Sequence, residues 1–184
     1  MIKLKSITKL AACMLGTITF SYAALGQNQA KVQLTDPEIA SVAVTANQID
    51  VSYGKIALKK SKNADIRKFA QTMITDHSGV ITQAVALAKK LDVVPKTNSV
   101  TKQLLAGAVT TEKKLNAQKG TNFDKAYIDN EVAYHESVIS AVNNLLIPET
   151  QNKELKALLV KVAPVLKEHL AHAKMVQSAL KGSN

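Results

Sequence analysis

The chain has 184 residues, 46% of them hydrophobic, enough for one domain with its own core plus a leader. No Trp, three Phe and four Tyr, against abundant Ala, Leu, Val and Lys, favour helices packed on helices over a twisted sheet. The net charge of +10 comes from scattered lysines, with Arg67 the sole arginine and no interleaving of basic and aromatic residues. That speaks against a specific nucleic-acid site, names no other partner, and leaves only weak attraction to anionic envelope surfaces.

Met1–Gly26 reads as a cleaved secretory signal, with Lys3, Lys5 and Lys9 ahead of a short apolar run, Leu10–Phe20, and small residues at the cleavage region. The run is too short for a membrane span, so no transmembrane helix is expected in the mature chain. Leu10-Ala11-Ala12-Cys13 is like a lipoprotein box, but Lys9 lies inside the segment that would have to be hydrophobic and the apolar run follows the cysteine instead of preceding it. Cys13 reads as a small apolar residue of the signal. Without it the mature protein carries no thiol, and a periplasmic or outer-membrane-associated location is expected.

Residues 27–35 form a polar lead-in, and residues 36–180 the folded domain. Asp36-Pro37-Glu38 starts a helix to about Lys60, with Asp36 as cap and Pro37 in the first turn. Its inward seam is Ile39, Ala43, Ala46, Tyr53 and Ala57, and Asp50 points the same way. After a turn at Ser61–Asn63, residues 64–91 form a second helix with Ile66, Phe69, Ala70, Met73, Val80, Ala84, Leu87 and Leu91 inward, and His77 among them. A weaker helix over 99–118 follows a Pro95 loop and is closed by Gly120. Thr121 or Asn122 then caps a helix over 123–146, where Ile128, Val132, Ile139, Val142 and Leu146 share one stripe at about 100° per residue. His135 sits in the middle of that stripe. Pro148 stops this helix, and the last one, 153–180, carries Leu155, Leu159, Val162, Leu166, Ala173, Val176 and Leu180 with His169 in its seam. Residues 181–184 are a tail.

Two short turns and one long crossover predict an all-α, ferritin-like four-helix bundle of two antiparallel hairpins, with a short extra helix in the crossover. Asp50 lies about 11 residues before the first turn and His77 about 14 after it, so at ~1.5 Å per residue they fall at similar depth. His135 and His169 differ in depth by about one helical turn, so four seam-facing titratable groups, one per helix, converge on the bundle axis.

These residues resemble a known family. Asp50-Val-Ser-Tyr-Gly-Lys-Ile-Ala, the stretch Ile66 to His77, Gly120-Thr-Asn-Phe-Asp-Lys-Ala-Tyr127 leading to His135, and Ala163-Pro-Val-Leu-Lys-Glu-His-Leu170 are similar to the DUF4142 family, often labelled "predicted outer membrane protein". The resemblance spans about Asp36 to Leu180 and implies an exported ferritin-like bundle of unassigned function. Where the family often has Glu in the first helix, this chain has the shorter Asp50.

A histidine in an apolar seam either ligates something or bonds to something buried. In the first case His77, His135 and His169, with Asp50 as carboxylate, form a site for a transition-metal ion, and Glu131, Glu168 and His172 are accessory groups one turn from an imidazole. Asp76, adjacent to His77, is expected to point elsewhere. The paired Glu-x-x-His motifs of di-iron bundles are missing. Met73 and Met175 could add soft ligands for copper but read as core filler. In the second case the protein is a non-catalytic structural or interaction module of the envelope, and neutral imidazoles bonded to Asp50 or to Tyr53, Tyr127 or Tyr134 only set helix register. An enzyme is the least supported class: no nucleophile elbow and no pair of inward acids is visible.

Overall fold

The computed structural model describes residues 33–182; the expected signal with Cys13, most of the lead-in and residues 183–184 lie outside them. Helix α1 (Asp36–Lys60) and α2 (Ala64–Lys90) form one antiparallel hairpin, and α3 (Ser99–Ala117) occupies the crossover. Helix α4 (Gly120–Ala141) runs through a π-helical turn (Val142–Leu146) and the single turn α5 (Ile147–Glu149), and α6 (Lys153–Gly182) completes the second hairpin. No strand occurs among the described residues. The expected all-α bundle is what the chain forms.

Three local expectations are corrected. Thr35, not Asp36, takes the cap position of α1: its backbone N–H donates to Glu38 Oε2 at 3.0 Å, closing a capping box. Asp36 is thereby freed to accept from the backbone N–H groups of Gln151 and Asn152, both at 2.9 Å, tying the first helix to the start of the last. Gly120 does have a left-handed φ of 54°, but it is the first residue of α4, so neither Thr121 nor Asn122 caps that helix. Pro148 does not end the helix before it. It has no N–H and its ring crowds the carbonyl four residues back, and the backbone widens to a π-turn in which Ile147 N–H reaches Val142 O.

Helix α3 lies along α1 and is not part of the axis. Ser41 and Thr101 hydroxyls meet at 3.2 Å, and Asn98 Nδ2 donates to Glu38 O at 3.1 Å. This cover explains why α1 is buried on two sides, with Ser41, Val42 and Thr45 shielded as well as the seam.

The bundle's two ends pack differently. At the Ser61 end Ile66, Phe69, Met73, Phe123 and Tyr127 are fully buried, with Tyr127 stacked on Phe123 and edge-on to Phe69, both at 6.2 Å between centroids. At the other end the core is aliphatic, built on Ile39, Val42, Val142, Leu146, Leu155, Leu159 and Leu166. There the inward residues of α2 beyond His77, and Ile139 of the α4 stripe, are only half-buried.

Helix α1 approaches α2 most closely at Gly54, where an added Cβ would lie 2.8 Å from Ile74 Cγ1 and 3.1 Å from the Ala70 carbonyl oxygen. Ile74 can rotate away but the carbonyl cannot. Gly54→Ala is therefore expected to lower stability by about 1–2 kcal/mol, overpacking outweighing the helix-propensity gain of roughly 0.5–1 kcal/mol. Gly79→Ala, with nothing within 4 Å, is the control and should stabilise slightly. Denaturant midpoints of the two variants check this.

Candidate metal centre

The aromatic and aliphatic halves of the core meet at a polar layer. Asp50 and Glu131 are 0% exposed, His135 1%, His77 4% and His169 5%. The three imidazoles form a near-equilateral triangle, with ring centroids 5.1 Å (His77–His169), 5.5 Å (His135–His169) and 5.7 Å (His77–His135) apart.

Each ring is held by one nitrogen and leaves the other bare. On α1, Asn47 Nδ2 donates to Ala43 O at 2.8 Å, which turns Asn47 Oδ1 toward His77 Nδ1 at 2.7 Å. An amide oxygen only accepts, so the proton sits on Nδ1 and His77 Nε2 is an unprotonated lone pair. His135 Nδ1 lies 2.9 Å from the Glu131 carbonyl oxygen, which fixes the same tautomer. In His169 the roles reverse: Nε2 donates to Asp76 Oδ2 at 3.0 Å and Nδ1 is left over. A ring oriented through one nitrogen with its other nitrogen free is the usual state of a metal-ligating histidine.

What faces these lone pairs is the Asp50 carboxyl. Asp50 Oδ2 stands 3.4 Å from His77 Nε2 and 3.6 Å from His135 Nε2, too far for hydrogen bonds. Both oxygens of Asp50 and of Glu131, His77 Nε2, His135 Nε2 and His169 Nδ1 are buried without a partner. Native proteins rarely leave such groups unsatisfied. One nitrogen from each of the three histidines lies within 4.8 Å of the other two, and Asp50, Glu131 and His135 form a second such group that shares His135.

The electrostatics follow from burial. Loss of water pushes Asp50 up from 3.8 to about 7, and pushes Glu131 well above its ordinary range with the Asp50 charge adding to it. Burial, with the neighbouring imidazoles adding to it, brings His77 down to about 3. His135 falls to about 4 by burial, against the bond to the Glu131 carbonyl. At neutral pH these two imidazoles are uncharged, and the carboxyls are the groups of this layer that hold protons.

The structure brings together the four seam groups and Glu131. It sets Glu168 on the exposed face of α6, and half-buried His172 edge-on to Phe69 at 5.1 Å, so neither joins the cluster. Met73 is buried one turn from His77, whereas Met175 is 65% exposed. Tyr134 bonds to the Ala46 carbonyl at 2.9 Å and not to an imidazole. The expectation that Asp76 points elsewhere is corrected: it turns from His77 toward α6, and there it holds His169. Asn47 was not anticipated either, although it lies one turn before Asp50 on the same face.

Residues 22–176 match the family described as "Domain of unknown function (DUF4142)". The chain belongs to the DUF4142 family. Among curated proteins none matches this DUF4142 chain. Its fold is similar to the solved structure of CopM in the Cu(II)-bound form, with a TM-score of 0.60 and 16% sequence identity over 79% of this chain and 98% of that one. No helix of the described residues is long and apolar enough to cross a membrane.

Proposed function

We propose that this DUF4142 protein is an exported copper-binding bundle of the periplasm or outer membrane that takes up one ion through His77, His135 and His169, with Asp50 as the charge-balancing carboxylate. The observation that carries this reading is a set of buried ligand atoms without hydrogen-bond partners: one nitrogen of each of the three histidines lies within 4.8 Å of the other two, and Asp50 stands 3.4 and 3.6 Å from His77 and His135. Imidazole and carboxylate ligands suit copper(II), zinc, iron and nickel alike. Copper is chosen because the structurally similar CopM was solved in its Cu(II)-bound form. The rings' second nitrogens, held by Asn47, the Glu131 carbonyl and Asp76, supply the orientation a ligand set needs.

The competing role, buried imidazoles that only register the helices, draws on the bonds from His77 to Asn47 and from His169 to Asp76, which join α2 to α1 and α6 to α2. It gives no role to the second ring nitrogens or to Asp50, which stands 3.4 and 3.6 Å from two of them. The test is titration of untagged protein with Cu(II), read by elemental analysis and by electron paramagnetic resonance. One copper per chain with hyperfine splitting from bound nitrogens is expected. Protein that retains no stoichiometric copper after gel filtration would leave only a helical scaffold.

A further inference from the structure

Beyond the histidine layer, away from the aromatic end, the bundle is not filled. A cavity of about 790 Å³ runs between α1, α2, α4 and α6 toward the hairpin ends, with Val100 and Leu104 of α3 also lining it and Asp50, His77, His135 and His169 at its floor. Its walls are mainly small and aliphatic side chains such as Ala43, Val80, Ala84, Leu87, Leu159 and Val162. The cause lies in the sequence: bulky rings pack the other half, while this half offers only the aliphatic side chains of Ala, Val, Leu and Ile to fill the same interhelical space. Water is a poor occupant, because it needs two to four polar partners and such walls offer few. The size falls within the ~300–1,000 Å³ of small-molecule sites.

The rim supplies charge. Lys161 Nζ reaches from α6 to Gln83 Oε1 on α2 at 3.2 Å, beside the cavity. Among the described residues Lys161 forms no ion pair, so its ammonium stands uncompensated at the edge of an apolar slot. Asp36, also at the edge, is already occupied with the backbone of Gln151 and Asn152. From Val80 to Leu91 the slot is about 16 Å long at ~1.5 Å per helical residue. An extended chain advances about 1.2 Å per bond, so roughly 13 bonds span that length.

We propose that this cavity binds a free long-chain fatty acid anion, the alkyl tail buried between α2 and α6 and the carboxylate paired with Lys161. The site does not depend on the copper reading: the proposed ligands only close its floor, the aliphatic walls and Lys161 lie beyond them, and the metal-free protein carries it.

The experiment is calorimetric titration of metal-free, untagged protein with sodium myristate below its micellar concentration. Saturable binding of one myristate per chain is expected. Ala84→Phe, which places a ring in the slot, should abolish that binding while copper uptake and helicity persist. Lys161→Ala, an exposed change that leaves the core intact, should weaken myristate at least tenfold and leave uncharged tetradecanol unaffected. Myristate binding by protein that takes up no copper separates failure of this site from failure of the metal reading. Absent or non-saturable binding, or equal loss of myristate and tetradecanol in Lys161→Ala, overturns the proposal. So does unchanged binding in a folded Ala84→Phe protein.

Discussion

His135→Ala is expected to lower copper(II) affinity at least 100-fold, the largest effect of any single substitution in the bundle. His135 belongs to both groups of converging ligands, so its loss removes a nitrogen from the imidazole triangle and the neighbour of Asp50 and Glu131 at once. Affinity measured against a competing chelator reads the effect, with circular dichroism confirming that the helices persist. Substitutions that spare the ligands but release their orientation should cost less. Asn47→Ala frees the His77 ring and Asp76→Ala frees His169, and loss of such outer partners typically costs about 10–100-fold. If His135→Ala and the two orienting variants fall equally, the imidazoles do not act as distinct ligands. If His135→Ala binds like the wild type, the ion sits elsewhere.

The second large effect is on pH dependence. With Asp50 raised to about 7, copper must displace its proton below that pH, and affinity should fall about tenfold per unit between pH 7 and 5. His77 and His135, lowered to about 3 and about 4, stay neutral across that window and add no slope of their own. In Asp50→Asn the proton-linked slope should vanish along with part of the affinity. The metal-free protein gives an independent readout. A carboxyl whose folded-state value lies above its unfolded value contributes stability that is full below 3.8 and is lost as pH rises through about 7. The stability of the wild type relative to Asp50→Asn should therefore decline from pH 4 to 8, by at most about 1.4 kcal/mol per unit. A difference that is flat with pH would show that Asp50 ionises normally, and the argument from its burial would fail.

The helices were legible because their signals are local. Apolar spacing, Pro37 in a first turn and Asn63 before α2 act over a few residues, so the boundaries 36–60, 64–90 and 99–117 lie within a residue of those read from the chain. Even the depth match of Asp50 with His77 needed only the rise per residue and the short turn between them. Which acceptor each residue finds was not local. Asp36 was read as capping its own helix and instead caps the chain near residue 151, because Glu38 had already satisfied Thr35. Successive residues on a helix diverge by about 100°, which turns Asp76 away from His77, and that divergence lets α2 address the axis through His77 and α6 through Asp76.

By itself, then, the sequence determined an all-α bundle and the four titratable groups that face its axis, since hydrophobic periodicity dictates which side of a helix turns inward. Only the tertiary structure decided that Glu131 belongs to the same layer, that each imidazole is tethered on one nitrogen and bare on the other, and that an aliphatic void opens beside them. Those features depend on how four separate helices meet in depth and rotation, and on which volumes their side chains leave unfilled. No pattern within one helix encodes either.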